Sequence, residues 1–356
     1  MELPNDLFTE VLVRLPLKDI FISRCVCRAW NTLITTPYFT SYYANNSPFT
    51  SIILTQDNCN RTSFFLLEFG KNGDFIQTPI KPKLPEIAET DSRVSIIGSC
   101  DGSIFLLHRR GSRDGSIDNM YLCNPLFERC VKIAEDRLVN SPCGVFEYKV
   151  CYIPSTNSYK LLKFRYHGGS LKEAKIFTVG VDKDWRNLED PFTFLEYWSE
   201  GVCFNGAYHW VADNENLDNI CTFDLLEEKC SGIPKPPGLL PFLSETVSLT
   251  ILNDRLSVVD YSDCSQMNIW TMDKYGVAES WFRNIILLKH HPRNSDLERF
   301  LPIAILPNGN IIFYEMYSLR IYFFSLEEKK CSRIKLRGVD NQEPITMANA
   351  FKPRFS

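Results

Sequence analysis

The sequence predicts an α+β chain in which a short helical unit, residues 1–45, precedes a long all-β region, residues 46–356. Three observations predict this division. Apolar residues near the N-terminus recur at helical spacing and are bounded by prolines. From about Ser51 onward, short apolar and aromatic runs alternate with turn residues. The turns of the β region also recur with a period near fifty residues, which is typical of a repeat architecture.

Three short helices are predicted in the N-terminal unit. Pro4 can open the first, because its missing N–H would have no intrahelical partner there, and Pro16 ends it. A second turn or helix is predicted over residues 18–24 and a third over residues 29–34. The first helix carries apolar residues on one face, namely Leu7, Val11, Leu12 and Leu15. A unit of roughly 40 residues buries too little apolar surface to be stable alone, so a partner is expected.

The order and spacing of these residues resemble an F-box. The resemblance is carried by Leu3-Pro4-Asn5-Asp6-Leu7, Val11-Leu12-Val13-Arg14-Leu15-Pro16-Leu17 and Arg24-Cys25-Val26-Cys27-Arg28-Ala29-Trp30-Asn31-Thr32-Leu33-Ile34, closed by Pro37 and Phe39. In that family the module docks onto a Skp-type adaptor, and so onto a cullin ubiquitin ligase, while the rest of the chain selects the protein to be modified. The resemblance implies an adaptor-binding surface formed by Leu3, Pro4, Leu7, Leu12, Leu15, Pro16, Ile20, Val26 and Trp30. The alternative is an ordinary N-terminal cap packed on the following domain.

Composition predicts a soluble protein of the cytoplasm or nucleus. No apolar run approaches the ~20 residues that a membrane helix needs, and Glu2 and Asp6 stand where a signal peptide would carry positive charge. The 13 cysteines are scattered, without the spacing of a zinc site or a disulfide framework. They are therefore predicted to be reduced and mostly buried.

A repeat organises the β region. Its turn pairs are Asp101-Gly102, Thr156-Asn157, Asn205-Gly206, Asn253-Asp254 and Asn308-Gly309, and their second residues are 55, 49, 48 and 55 positions apart. Such pairs tolerate the positive φ of tight hairpin loops. A partial unit over residues 52–76 precedes them, and residues 344–351 could add a closing strand to it. Six four-stranded units at this period predict a six-bladed β-propeller. A β-sandwich pair or an irregular all-β domain is the alternative.

The β region also resembles the F-box-associated domain of plant F-box proteins of the kelch-like and S-locus types. The carrying residues are Gly98-Ser99-Cys100-Asp101-Gly102, Asn124-Pro125, Tyr208-His209-Trp210, Phe223-Asp224-Leu225, Met267-Asn268-Ile269-Trp270-Thr271-Met272, Tyr275-Gly276-Val277 and Glu279-Ser280-Trp281. The recurring glycine doublets of true kelch repeats, one in each repeat, are missing. The two regions look separable at residues 45–48.

Enzymes and nucleic-acid binders are the competing classes. Residues 98–102 have the outline of a nucleophile elbow with Cys100 as nucleophile, but a strand, and no helix, is predicted to follow them. His209 lies in a predicted strand and is interpreted as a structural histidine. With 39 basic and 43 acidic residues the net charge is −4, which disfavours a nucleic-acid surface and would suit a basic protein partner, although net charge does not locate a patch. No cofactor or metal is implied. A propeller enzyme with a helical cap stays open.

The predicted function is therefore recruitment of a protein substrate to a Skp–cullin–F-box ubiquitin ligase, with a non-ligase scaffold or an adaptor-sequestering protein as the alternative. Loops on a rigid scaffold are the expected substrate-binding elements. The longer polar connections are residues 108–119, 167–172, 213–219 and 289–299, and the candidate substrate-binding residues in them are Arg109, Arg110, His167, Asp213, His290 and His291.

Overall fold

The computed structural model describes residues 5–58, 61–84, 94–100, 102–112, 115–124, 129–139, 144–189, 201–212, 219–239, 247–263, 266–287, 300–315, 320–337 and 345–353. The helices are α1 Asn5–Leu12, α2 Leu17–Ser23, α3 Arg28–Ile34 and α4 Pro37–Asn46, and one 3₁₀ turn spans Ala278–Ser280. The strands are β1 Thr50–Asn58, β2 Arg61–Phe69, β3 Phe75–Ile80, β4 Val94–Cys100, β5 Ser103–Ser112, β6 Gly115–Asn124, β7 Arg129–Val139, β8 Val145–Ile153, β9 Ser158–His167, β10 Ser170–Thr178, β11 Arg186–Asn187, β12 Val202–Phe204, β13 Ala207–Trp210, β14 Asn219–Asp224, β15 Lys229–Pro234, β16 Val247–Leu252, β17 Arg255–Asp260, β18 Gln266–Met272, β19 Trp281–Leu287, β20 Phe300–Ile305, β21 Ile311–Glu315, β22 Arg320–Ser325, β23 Lys330–Arg333 and β24 Ile345–Phe351.

The strands form six four-stranded antiparallel blades, as the repeat predicts. Blade 1 is β24-β1-β2-β3, and blades 2 to 6 are β4–β7, β8–β11, β12–β15, β16–β19 and β20–β23. The strands β4, β8, β12, β16, β20 and β24 contact one another in turn around the ring. They are therefore the inner strands of a propeller. The last strand, β24, pairs with β1, which confirms the predicted closing strand.

Apolar packing between neighbouring blades forms the core. Middle strands are buried on both faces, so that β9 reads as a continuous buried run from Lys160 to Phe164. One hydrophobic cluster joins blades 2 and 3 through Phe105 and Leu161, and corresponding clusters lie between the other blades. No helix of the described residues has the length and apolarity needed to cross a membrane.

The predicted hairpin turns are present. Each of the five turn pairs has at least one described residue at positive φ, and these are Gly102, Asn157, Asn205, Gly206, Asn253, Asp254 and Gly309. Because asparagine, aspartate and glycine tolerate that region better than other residues, the turn chemistry fixes where each blade folds back.

Helix α4 was not predicted. Pro37, taken from sequence as the end of the third helix, is the first residue of a fourth. The Thr36 side chain accepts a hydrogen bond from the Phe39 backbone N–H at 3.1 Å, which caps the helix. Phe39 and Tyr43, one turn apart, are both buried beneath it.

Two predicted loops are wrong. Strand β5 continues to Ser112 and β6 begins at Gly115, so most of residues 108–119 belong to strands. Polar residues are frequent there because they pair across the sheet. The connection at 167–172 is a tight turn through Gly168 and Gly169, with φ of 61° and 85°. Of residues 213–219 only Asn219, which begins β14, is described, and residues 289–299 lie outside the described residues.

Among the described cysteines, two pairs form disulfides, contrary to the expectation of a fully reduced chain. Cys123 and Cys130 stand directly opposite each other on β6 and β7, and Cys151 joins Cys203 between the inner strands of blades 3 and 4. Strand register creates the first pair and the packing of neighbouring blades creates the second, which is why spacing along the sequence did not indicate them.

The helices lie at one end of the propeller. Thr50, which begins β1, pairs with Phe69, which ends β2, and the chain enters β1 directly from α4. In blade 2 the helices share a hydrophobic cluster with Ile104 and Cys123, beside the β4–β5 turn. The β5–β6 hairpin closes at the other end of that blade. The propeller thus has a helix-bearing end and an opposite end.

Candidate adaptor-binding surface and substrate-binding rim

Among the described residues of the helical unit, five large apolar side chains are more than half exposed. They are Leu7, Val11, Ile22, Val26 and Tyr38, and we call them the exposed apolar set. Leu7 and Val11 are four residues apart on α1 and so lie on one face of it. Large exposed apolar residues concentrated in so small a unit are typical of a protein-binding surface.

The structure divides the predicted adaptor-binding residues into groups of different exposure. Leu7 and Val26 are exposed, at 54% and 60% of their maximum. Leu15, Pro16 and Trp30 are half-buried, with the Trp30 ring 4.2 Å from that of Phe8 between centroids. Leu3 and Pro4 lie outside the described residues. The remaining two, Leu12 and Ile20, are buried.

Leu12 and Ile20 do not face solvent. Both belong to a cluster that includes Val13, Leu17 and Ile34, so they support the helical unit from within. Their assignment to a surface that buries against an adaptor is therefore corrected. Val11, Ile22 and Tyr38 were missing from the predicted surface.

The helical unit is fused to the propeller by a shared core. Its buried residues pack with apolar residues of blades 1 and 2, among them Ile53, Leu66 and Ile104. This shared core argues against the predicted separability at residues 45–48, which stays a prediction. Packing on the propeller is what the cap alternative expects, but it leaves the exposed apolar set uncovered.

A buried carboxylate links α2 to blade 1. The Leu17 backbone N–H, in the first turn of α2, donates to Glu68 Oε1 at 2.8 Å. Pro16, which precedes that turn, offers no side-chain cap, so the propeller satisfies this N–H. Burial raises the pKa of the Glu68 carboxyl to about 7, against the hydrogen bond from Leu17, which lowers it. Among the described residues, Glu68 Oε2 has no hydrogen-bond partner.

Three of the six candidate substrate-binding residues lie at the end opposite the helices. Arg109 and Arg110 are near the tip of the β5–β6 hairpin, and His167 ends β9 at the β9–β10 hairpin of the next blade. The structure thus brings these three to one rim formed by blades 2 and 3, which we call the substrate-binding rim after the role that the sequence predicts for them. Asp213, His290 and His291 lie outside the described residues.

An ion network fastens the two blades below this rim. Arg109 donates from Nε and Nη2 to the two oxygens of Asp118, both at 2.7 Å. The Tyr148 hydroxyl of blade 3 lies 2.8 Å from Asp118 and 2.7 Å from Asp136. Asp136 also forms an ion pair with Lys163 at 2.5 Å. Burial and then the two carboxylates raise the pKa of Tyr148 well above its ordinary value. The polar composition of residues 108–119 indicated that the segment is unusual, but these ion pairs follow from the strand register, which the sequence does not show.

The residues tested as catalytic candidates have structural surroundings. Cys100 ends β4 and pairs with Ser103, which begins β5, so a strand follows this segment and not the helix of a nucleophile elbow. His209 is buried, its Nε2 lies 2.7 Å from the Tyr275 hydroxyl, and burial lowers its pKa to about 4. Within the described part of the chain, no group of histidine, cysteine and acidic residues could hold a metal ion.

The most recognisable sequence motif of the β region fastens blade 5 to blade 4. Tyr275 reaches His209 of blade 4, and the Trp281 indole N–H donates to the Pro234 carbonyl at 3.0 Å. Ser280 Oγ accepts from the Lys274 N–H at 3.0 Å and so closes the connecting loop. In the structure, Tyr275, Ser280 and Trp281 therefore hold blades 4 and 5 together and close the loop of blade 5.

Comparisons with known proteins agree with this architecture. Residues 52–355 match the model of the F-box associated beta propeller domain, and residues 1–42 match the F-box domain. F-box protein DOR of Arabidopsis thaliana is 23% identical over 353 residues, which is 95% of this chain and 88% of that protein. F-box protein At3g07870 of Arabidopsis thaliana is 26% identical over 336 residues, with 86% and 78% covered.

A solved alpha-L-arabinanase of Penicillium chrysogenum, complexed with arabinobiose, is 10% identical with a TM-score of 0.43 and covers 68% of this chain and 80% of its own. A likeness this weak carries no inference about activity. The two family matches, in contrast, span nearly the whole chain in the order that the structure shows. The chain belongs to the family of F-box proteins that carry an F-box-associated β-propeller domain.

Proposed function

We propose that the protein is the substrate-recognition subunit of a Skp–cullin–F-box ubiquitin ligase. The observation that carries the proposal is the exposed apolar set, Leu7, Val11, Ile22, Val26 and Tyr38, on an F-box whose buried residues, among them Leu12, Leu17 and Ile20, belong to a core shared with the propeller. An adaptor that covered this set would complete the burial of a unit too small to be stable alone.

The proposed mechanism is positional. The adaptor and cullin bind at the helix-bearing end, and a protein substrate binds at the substrate-binding rim. Because the helices and blades 1 and 2 share one core, the two ends keep a fixed relative placement. Holding a substrate lysine near a ubiquitin-charged enzyme raises its effective concentration, so no catalytic residue or cofactor of this chain is required. The cytoplasm or nucleus is the proposed location.

The test is co-purification of the tagged full-length chain from plant cells. Leu7→Arg combined with Val11→Arg places two charges in the exposed apolar set, and we expect adaptor and cullin to be lost from the purified complex. Val131→Arg on β7 is the control, since Val131 is 63% exposed but lies on the propeller. Leu15 and Pro16 are poorer targets, because Leu15 packs on the shared core and its carbonyl accepts from the Tyr43 hydroxyl at 3.4 Å.

The outcome also separates the proposal from its alternative. Adaptor and cullin recovered with the wild type and the control, but not with the double variant, support the ligase subunit. Adaptor without cullin would favour a scaffold or an adaptor-sequestering protein. Equal recovery with a folded double variant would contradict the assigned surface. The finer resemblance of the β region to the kelch-like and S-locus types stays a prediction.

A further inference from the structure

Arg109 is held in one orientation at the substrate-binding rim although nearly half of its side chain is exposed. Its Nε and Nη2 form a two-point contact with Asp118, whose side chain is fully buried, whereas the Arg109 side chain is 47% exposed. Most exposed arginines lose conformational freedom when they bind a ligand. Here the buried carboxylate, itself held by Tyr148, has already fixed the guanidinium before any ligand arrives.

The fixed guanidinium keeps donors for a ligand. A guanidinium has five N–H groups, and Asp118 accepts from two of its nitrogens in the described part of the chain. The remaining donors belong to a side chain that is nearly half exposed, so a ligand can reach them. Their planar arrangement matches the two oxygens of a carboxylate.

The charges around Arg109 leave the rim basic. Asp118 and Asp136 are buried and are matched by Arg109 and Lys163. On the other face of blade 2, Glu135 is shared between two cations, Lys132 at 2.6 Å and Arg137 at 2.7 Å. Arg110, next to Arg109 on β5, is exposed. Among the described residues of blade 2 at this rim, accessible cations therefore outnumber accessible anions, although the chain as a whole carries a net charge of −4.

On the blade 3 side of the rim, Arg165 pairs with Glu173 at 3.4 Å, and Glu173 also contacts Lys175 at 2.9 Å. Glu147 pairs with Lys149 at 2.6 Å. Glu147 and Glu173 on this side are thus paired with cations, Glu189 after β11 is exposed, and His167 ends the neighbouring hairpin. The described residues of the rim therefore carry a positive local charge, whereas the net charge of the chain is negative. The net charge alone had suggested a basic partner.

We propose that Arg109, assisted by Arg110, anchors an Asp- and Glu-rich segment of the protein substrate at the rim of blades 2 and 3. The proposal rests on the proposed function, since it names the chemical class of what the propeller binds. The partner chemistry follows from charge complementarity and from a guanidinium fixed in advance for a carboxylate.

The test is fluorescence anisotropy of the full-length chain with a labelled ten-residue peptide of alternating glutamate and serine. We expect binding that weakens when salt is raised, and no binding of the peptide with glutamine in place of glutamate. Arg109→Gln alone leaves Asp118 buried without its cation and can unfold the rim. Arg109→Gln with Asp118→Asn removes both charges together, and we expect it to fold and to bind the peptide roughly tenfold or more weakly.

Arg255→Gln is the matched control. Arg255 is 44% exposed and pairs with Asp273 at 3.0 Å, but it begins β17 at the helix-bearing end. Retained binding in this control and a lower affinity in Arg110→Gln support the rim. Wild-type affinity in the folded Arg109/Asp118 variant, equal loss in the control, or binding of a phosphoserine peptide alone would each overturn the proposal. Adaptor co-purification with the Arg109/Asp118 variant should be unchanged, so failure here is distinct from failure of the proposed function.

Discussion

Glu68 is the residue through which the propeller directly caps an F-box helix. Its carboxyl has an ordinary pKa of 4.5 and a folded-state pKa of about 7, raised by burial. Between pH 4.5 and pH 7, Glu68 therefore holds a proton in the folded chain that it has lost in the unfolded chain. The stabilising effect of that proton is complete below about pH 4.5 and is lost as the pH rises through 7, at a cost of up to about 3 kcal/mol.

Replacing Glu68 with glutamine is expected to flatten this pH dependence. The amide side chain cannot ionise, and its carbonyl oxygen can still accept from the Leu17 N–H. The free energy of unfolding, measured by urea titration from pH 5 to pH 8, should fall less steeply in Glu68→Gln than in the wild type. Glu279→Gln, at an exposed position, should follow the wild type. Parallel curves for all three proteins would show that Glu68 stays ionised across this range.

For single apolar residues of the helices, the sequence predicted exposure or burial only in part. Leu7, Val11 and Leu12 are all compatible with one broad apolar stripe, yet Leu7 and Val11 are exposed and Leu12 is buried. The four-residue spacing of Leu7 and Val11 could have separated them from Leu12. The burial of Ile20 could not be read in the same way, because it depends on where the propeller lies. His209 was correctly interpreted, since a buried strand position requires a partner for its ring.

At the scale of elements, turn chemistry and period predicted more than polarity did. Pairs such as Asn205-Gly206 located hairpins because positive φ restricts which residues fit there. The polar residues around Arg109 favoured a loop in the sequence. The structure instead places Arg109 opposite Asp118, and Asp118 opposite Asp136, on neighbouring strands, and this register is not visible in the sequence. The cysteine pair Cys123 and Cys130 was missed for the same reason.

Helix α4 gives a prediction at this scale. Thr36→Ala removes the oxygen that accepts from the Phe39 N–H, and we expect a loss of about 1 kcal/mol in the free energy of unfolding. Ser41→Ala, at an exposed position in the same helix, should change stability by less than half as much. Denaturant titration of both variants measures the difference. Equal stability of the two would mean that packing of Phe39 and Tyr43 alone determines where α4 begins.

For the molecule as a whole, closure of the ring brings the C-terminal strand β24 into the blade on which the N-terminal helices pack. Strand β24 supplies the inner strand of blade 1, the blade that immediately follows the F-box, and Phe351 belongs to the core shared with the helices. A propeller buries each blade against two neighbours, so an opened ring leaves apolar faces and a strand edge uncovered. F-box placement therefore depends on the last strand of the chain as well as on the helices themselves.

A chain that stops after residue 344 tests this dependence. Without β24, the inner edge of β1 is unpaired, and we expect the truncated protein to lose its cooperative thermal transition and to bind adaptor poorly. A synthetic peptide of residues 345–353, added in trans, should restore both by adding the missing strand to β1. The same peptide with Phe351 replaced by aspartate is the control, since that side chain is buried. If the truncated chain melts as the full-length chain does, the ring does not need β24, and the helices are held by blades 1 and 2 without closure.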